Sequence, residues 1–195
     1  MRDNRRARDG AQIGVVRGGA KREDGGLISG LFNVKIVREG QEIYNKDCPN
    51  VIVNEGVGEM FDRMFTAQPG NVNWYMGLLD NASLSVAATD TLATHIASEF
   101  SNYSDASPGG GTSSLRPNWA AQTTVTDSLR KVDNTGTPIT FTISGAGGDV
   151  DGLFIHTQQT IGSSTGTLFS VVVIASAPAV TSGDQVIVTY TASIS

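Results

Sequence analysis

The chain has 195 residues, of which 39% are hydrophobic and 17% are charged, and its formal net charge is −5. This length allows one domain with a well-filled core plus appendages, and it excludes two large domains. Cys48 is the single cysteine, which excludes an internal disulfide. No run of residues approaches the roughly 20 apolar residues of a membrane-spanning helix, so we expect no membrane partner.

The first 30 residues are rich in glycine and charge and poor in aliphatic side chains. Such a segment buries too little apolar surface to order itself, so we predict a flexible or extended basic arm over residues 1–30 that orders on a partner. Residues 1–22 hold seven cations against Asp3 and Asp9, a net charge of +5, so the other 173 residues carry −10. We predict that this arm binds its partner through those cations, which are Arg2, Arg5, Arg6, Arg8, Arg17, Lys21 and Arg22.

Alternating apolar residues predict a β-hairpin over residues 31–46. Phe32, Val34 and Ile36 fall on one face of a strand, because side chains in a strand alternate between its two faces. The stretch "REGQ" then supplies a turn into "EIYN", as expected between two paired strands.

The strongest helical pattern lies over residues 54–67. Asn54 is a suitable N-cap, and "QPG" closes the segment. An apolar stripe with helical spacing consists of Val57, Met60, Phe61, Met64 and Phe65. This stripe either fills a partner's groove or closes one end of a β-sandwich, and we favour the second use because a sheet protein needs a layer over its apolar face.

Strand and turn patterns dominate from residue 72 onward. The strand-like stretches are "VNWYMGLL", "RPNWAAQTTVT", "ITFTISG", "DVDGLFIHT", "TLFSVVVIAS" and "QVIVTYTASIS". A short helix or turn is expected near residues 91–95, and an exposed loop at "SPGGGTSS". The sequence therefore predicts a mainly β fold, with an antiparallel β-sandwich or jelly-roll-like body over residues 47–195, one short amphipathic helix and the extended basic N-terminal arm.

Catalytic and metal-binding patterns are not evident in the sequence. His95 and His156 lie far apart and lack a Cys or second His at metal spacing, so we expect both at the surface or rim. Asp149 and Asp151 could supply oxygen ligands to calcium, but the EF-hand pattern fails at its twelfth position, Thr160. No Gly-x-Ser-x-Gly nucleophile motif and no phosphate-binding glycine loop occurs. We predict no enzymatic activity, no cofactor and no metal.

The charge of the arm is compatible with two kinds of partner. Nucleic acid would bind through counterion release by the arginines and lysines. An acidic protein surface would instead accept the arm through charge and backbone hydrogen bonds. The arm lacks interleaved aromatic residues for base stacking, and the acidic body would repel phosphate, so nucleic acid is the less favoured partner.

Several stretches from about residue 50 to the end are similar to small virion proteins that tailed bacteriophages carry beside their major capsid protein. These stretches are "NVIVNEGVGEMFDRMF", "WYMGLLDN", "AATDTLATH", "RPNW", "FTISGAGGDVDGLFI", "GTLFSVVV" and "SGDQVIVTYTASIS". The resemblance covers about three quarters of the chain and leaves out the first 46 residues. It implies a β-sandwich or jelly-roll body without enzymatic activity that serves as cement or decoration on the head shell, although some similar proteins belong to tails or head-tail junctions.

We therefore expect a virion structural protein that binds and stabilises the phage capsid as a cement or decoration protein. Its expected partners are the major capsid protein and copies of itself, as a homo-oligomer on the capsid surface, with the host cytoplasm as its location during assembly. A tail or head-tail connector component is the alternative. A nucleic-acid-binding module is less favoured, and a glycan-degrading enzyme least of all, because Asp149 and Asp151 are too close in sequence to flank a glycosidic bond.

Overall fold

A computed structural model describes residues 28–65, 73–119, 122–126 and 131–194. The predicted arm, apart from its last three residues, lies outside this range. The strands in chain order are β1 Ile28–Arg38, β2 Gln41–Pro49, β3 Val51–Ile52, β4 Tyr75–Leu79, β5 Glu99–Phe100, β6 Tyr103–Ser107, β7 Gln122–Thr126, β8 Lys131–Asp133, β9 Ile139–Ile143, β10 Gly152–His156, β11 Leu168–Val173 and β12 Gln185–Ile194. The helices are α1 Asn54–Phe65 and α2 Leu92–His95, the second followed by a 3₁₀ turn, Ile96–Ser98. The predicted mainly β fold is confirmed.

The strands form two antiparallel sheets that pack face to face. The larger sheet has the order β2-β1-β12-β8-β7, and β9 also pairs with β12 and with β6. The smaller sheet has the order β3-β11-β10-β4-β5. The core between them is built from inward-facing residues of both sheets, among them Phe32, Val34, Phe141, Leu153 and Val188. The strict alternation of β1 follows from this arrangement, because one of its faces lies on the core and the other on solvent.

The smaller sheet is covered on both faces. Strand β10 is buried at every position, in contrast to the alternating burial of β1. Residues 80–98, which include α2, lie over its outer face, where Leu92 packs with Leu79 and Phe154. The short helix expected near residues 91–95 is present as α2. A continuous apolar strand is typical of a sheet buried on both sides.

The predicted hairpin is present and is part of the larger sheet. Strands β1 and β2 pair from Leu31↔Pro49 to Arg38↔Gln41, and the two-residue turn between them has positive φ at Glu39 and Gly40. Strand β1 also pairs along its length with β12, from Ile28↔Ile194 to Val37↔Gln185. The sequence boundary drawn between residues 46 and 47 falls within β2.

Helix α1 lies close against β11 because Gly56 has no side chain. A Cβ at Gly56 would stand 2.5 Å from the carbonyl oxygen of Phe169. The Glu55 carboxylate accepts the N–H of Leu168 at 3.2 Å, and Val57 and Met60 pack on the core. The helix begins at Asn54, but the N–H of Val57 donates to the carbonyl oxygen of Val53, so Val53 and not the predicted Asn54 is the N-cap. Residues 66 and 67 lie outside the described range.

Two glycines of α1 give a matched test of this packing. We expect Gly56→Ala to lower the free energy of unfolding by about 1–3 kcal/mol, because the new methyl group meets backbone atoms that have little room to move. A Cβ at Gly58 would instead meet no described atom within 4 Å. Gly58→Ala should raise the free energy by about 0.5–1 kcal/mol through helix propensity. Urea unfolding of both variants measures this difference, and equal effects would contradict the close packing.

Candidate interaction surface

The arm enters the body at the first residue of β1, Ile28. The seven cations predicted to bind a partner all lie outside the described residues: Arg2, Arg5, Arg6, Arg8, Arg17, Lys21 and Arg22. Ile28 pairs with Ile194 near the end of β12, and β1 lies between β12 and β2. The arm is therefore continuous with a strand hydrogen-bonded on both sides.

Strand β2 is one of the two terminal strands in the order of the larger sheet, and β7 is the other. Within the described part of the chain β2 pairs only with β1. The N–H of Asn50 donates to the carbonyl oxygen of Gly30 at 3.3 Å, one position beyond the pair Leu31↔Pro49. Hydrogen-bonded and non-hydrogen-bonded pairs alternate in an antiparallel ladder. The backbone groups of Asn45 and Asp47 therefore point away from β1, toward the open edge.

Pro49 is a third residue of β2 whose backbone faces the open edge. Pro49 lies two residues after Asp47, and its missing N–H costs no ladder bond because that position faces outward. Ile43 forms a bulge where the register shifts, so the regular part of the edge runs over residues 45–49.

Side chains on both faces hold β2 in place. On the inner side, the Tyr44 hydroxyl and the Lys46 ammonium donate to the carbonyl oxygen of Ala175, at 3.1 and 3.4 Å. Burial raises the pKa of Tyr44 to about 12, so this hydroxyl stays protonated over an even wider pH range than an exposed tyrosine. On the outer side, the Asn33 amide donates to Asn45 at 3.0 Å and to the Asp47 carboxylate at 2.8 Å. These contacts within the chain hold the edge strand in place without a partner.

The turn and strand β2 carry a negative charge, whereas β1 carries the cations Lys35 and Arg38. Residues 39–49 contain Glu39, Glu42 and Asp47 against one cation, Lys46, a net charge of −2. Glu42 also forms an ion pair with Lys35 on β1 at 2.8 Å, and the hydrogen bond from Lys35 lowers the pKa of Glu42. We name residues 45–49 with their outward backbone groups the β2 edge.

The apolar stripe of α1 divides between the core and the surface. Val57 and Met60 pack on the core, as expected for a helix that closes one end of the sandwich. Phe61 and Phe65 are 44% and 72% exposed among the described residues, and their rings stack at 5.8 Å. Residues 66–72, which follow this pair directly, lie outside the described range.

The expectation that both histidines lie at the surface or rim is wrong. His156 is fully buried on the outer face of β10, where its Nδ1 accepts the N–H of Gln158 at 3.0 Å. Burial, followed by the charge of Arg116, lowers the pKa of His156 to about 2. His95 is also buried and lies 3.0 Å from the carboxylate of Asp90. Both imidazoles are held by the segments that cover the smaller sheet.

A buried ion pair joins three segments over the same face. The Arg116 guanidinium is fully buried and forms two hydrogen bonds with the carboxylate of Glu99 on β5, one of them at 2.7 Å. Its Nη1 donates to the carbonyl oxygens of Gln158 and Thr160, at 2.9 and 2.5 Å. Glu99 also accepts the N–H of Gly162 at 2.7 Å. Each of the three guanidinium nitrogens donates to at least one oxygen, which is typical of a structural ion pair.

One carboxylate of the acidic loop before β10 accepts a backbone hydrogen bond. Asp149 is exposed, and Asp151 accepts the N–H of Asn81 at 2.9 Å. Burial raises the pKa of Asp151, and the charges of Asp149 and Asp80 act in the same direction. Among the described residues, no group of three His, Cys, Asp or Glu side chains has the arrangement of a metal site.

Comparisons of this chain with protein-family models, curated proteins and solved structures give no significant match. None of the helices in the described part of the chain is long and apolar enough to span a bilayer. Sequence reasoning did not identify the β2 edge, although Lys46 and Pro49 within a strand are a signature of an edge strand.

Proposed function

We propose that this chain is a non-enzymatic structural protein of a tailed-phage particle. It binds the capsid shell as a cement or decoration protein, and its N-terminal arm clamps neighbouring subunits. The observation that carries this proposal is the attachment of a 27-residue basic segment to Ile28, at the start of a strand paired on both sides. A clamp requires an anchorage of this kind.

The anchorage suits a load along the arm. Tension applied at Ile28 acts along β1, so the hydrogen bonds to β2 and β12 are loaded together in shear instead of being opened one after another. The other end of β1 is tied down as well, because Arg38 forms a bidentate ion pair with Asp184 at 2.7 Å. We expect a shell under pressure from packaged DNA to load the arm in this direction.

The charge distribution supports binding through the arm. Residues 1–22 carry +5 and the other 173 residues carry −10, so arm and body attract opposite surfaces. Added salt weakens the charged contacts through screening, whereas backbone hydrogen bonds and apolar contacts persist. We therefore expect the chain to stay on particles partly when the salt concentration is raised.

The number of copies per particle tests the proposal. Particles of the virus that encodes the chain are purified, and the chain is quantified against the major capsid protein by mass spectrometry. We expect hundreds of copies, on the order of the number of capsid subunits, because cement acts at repeated shell positions. A handful of copies would overturn the cement role in favour of a tail or connector component. Complete absence from the particle would overturn the virion role and favour nucleic-acid binding by the arm.

A further inference from the structure

We propose that the β2 edge accepts residues 12–17 of the arm of a second copy of this chain as an added antiparallel strand. This inference rests on the proposed clamp function, since it names the acceptor of the arm. A clamp built this way would link copies to one another through backbone hydrogen bonds, in addition to any contact with the shell.

The β2 edge offers hydrogen-bonding groups at the right places. Asn45 and Asp47 each direct an N–H and a carbonyl oxygen outward, and within the described residues no strand pairs with them. Pro49 adds an outward carbonyl oxygen. The ties of Tyr44 and Lys46 to Ala175 keep these groups aligned, so little ordering is needed in the acceptor.

Other sheet margins are less suited to accept a strand. At the margins of the smaller sheet, β3 and β5 have two residues each. Strand β6 is approached by the chain itself, because Ala106 and Gly111 exchange two backbone hydrogen bonds, at 3.0 and 2.9 Å. Short or covered edges are the usual protection against unwanted pairing. Strand β7, at the other margin of the larger sheet, has five residues, but it pairs irregularly with β8 and is flanked by residues outside the described range. The β2 edge is longer than β3 and β5, is regular over residues 45–49 and lies open within the described part of the chain.

The arm contains one stretch with the composition of a strand. Residues 12–17 read "QIGVVR", with three β-branched residues in six, whereas glycine and charge dominate the flanking sequence. Arg8 and Lys21 flank this stretch and Arg17 ends it, whereas the turn and strand β2 over residues 39–49 carry −2, one unit of which is paired with Lys35 of β1. Charge complementarity therefore favours this segment over an acidic one.

The attachment point favours a second copy as the donor. Ten residues, 18–27, separate the stretch from Ile28 and span at most about 36 Å. Strand β2 ends at the side of the sheet where β1 begins. If the arm took the shortest route to its own β2 edge, it would also run toward that side before it joined Ile28, and it would therefore lie parallel to β2. Parallel pairing is the less stable arrangement. Antiparallel pairing with its own edge would require residues 18–27 to run back along the length of β2, whereas a second copy can present its edge in the antiparallel direction without this detour.

Two full-length variants separate donor from acceptor. Asp47→Pro removes an outward N–H without removing a ladder bond, as Pro49 already does two residues later. Ile13→Pro with Val15→Pro blocks the arm stretch and leaves every described residue unchanged. Asp47→Ala is the matched control, since it loses the same carboxylate and the same contact to Asn33 but keeps the N–H. Asn45→Pro provides a second block of the edge, and circular dichroism and thermal unfolding confirm that each variant is folded.

Light scattering and native mass spectrometry then measure association at about 100 µM. We expect the unmodified chain and Asp47→Ala to associate, and each blocked variant to lose at least tenfold in association constant. A mixture of the edge-blocked and arm-blocked variants should form a one-to-one heterodimer, because one supplies an intact arm and the other an intact edge. Association that neither block changes, or a mixture that stays monomeric, would overturn the proposal. A monomeric unmodified chain whose β2 edge is protected from hydrogen exchange would overturn it as well and assign the edge to its own arm.

These outcomes are independent of the proposed virion role. Heterodimer formation in solution by a chain that is absent from particles would leave the inference standing and remove the proposed function. If the chain were abundant in particles but did not associate through the β2 edge, the proposed function would stand and this inference would fail.

Discussion

Glu99→Gln is expected to lower the free energy of unfolding by about 3–5 kcal/mol, because it leaves a buried guanidinium without its counter-charge. Arg116 is fully buried, and the Glu99 side chain is 3% exposed, so water cannot replace the lost partner. Glu99 also accepts the N–H of Gly162, and Arg116 holds two carbonyl oxygens of the neighbouring segment. The loss should therefore loosen the cover of the smaller sheet as well.

A double variant is the control for the buried pair. Glu99→Gln combined with Arg116→Met should lose less stability than Glu99→Gln alone, since no unpaired charge remains inside the protein. Chemical unfolding of the two variants gives the coupling between the side chains. A loss below about 1 kcal/mol for Glu99→Gln would show that water reaches this pair, contrary to its burial between the covering segments.

The free energy of unfolding is expected to fall below about pH 6.5, before most carboxylates are protonated, because the buried His156 side chain stays neutral in the folded chain. Its pKa is about 2 in the folded chain and 6.5 in its ordinary state. The unfolded chain therefore binds a proton below pH 6.5 that the folded chain does not bind. Stability from this group is fully present above pH 6.5 and declines as the pH falls toward 2, by about 1.4 kcal/mol per pH unit.

Unfolding by urea between pH 7 and 5.5 separates the two histidines from the carboxylates, most of which stay ionised there, and a variant of His156 then isolates that residue. We expect a loss of about 1.3 kcal/mol at pH 5.5 relative to pH 7. His156→Gln removes the titrating group while an amide oxygen remains to accept the N–H of Gln158. This variant should lose stability more slowly over the same range. If the free energies of unfolding of the two proteins fell equally with pH, the burial of a neutral imidazole would be contradicted.

Elements set by local patterns could be predicted from the sequence. The alternation in β1, the turn at Glu39 and Gly40 and the apolar stripe of α1 each depend on residues close together in the chain. Strands of this kind indicate which face lies on the core, because one face is apolar and the other polar. The two-layer antiparallel architecture follows from several such strands without intervening helices.

Features that depend on distant segments could not be predicted. His156 ends a strand covered on both faces, and its cover comes from residues that follow no periodic pattern. Arg116 lies in "RPNW", which has the composition of a surface loop until Glu99 is placed beside it. Strand β2 has an open side because β1 pairs with β12 on its other side, and these two strands lie at opposite ends of the chain. Local propensity carries no information about these contacts.

The most direct test of the clamp is the copy number of a full-length variant whose seven arm cations are replaced by glutamine. Particles assembled with this variant and with the unmodified chain are washed at increasing salt concentration, and the retained copies are counted against the major capsid protein. We predict that the unmodified chain remains at hundreds of copies after washing at moderate salt and that the variant retains several-fold fewer, because only its backbone and apolar contacts remain. Equal retention of both chains would contradict the account, because the basic arm would then contribute nothing to binding the shell.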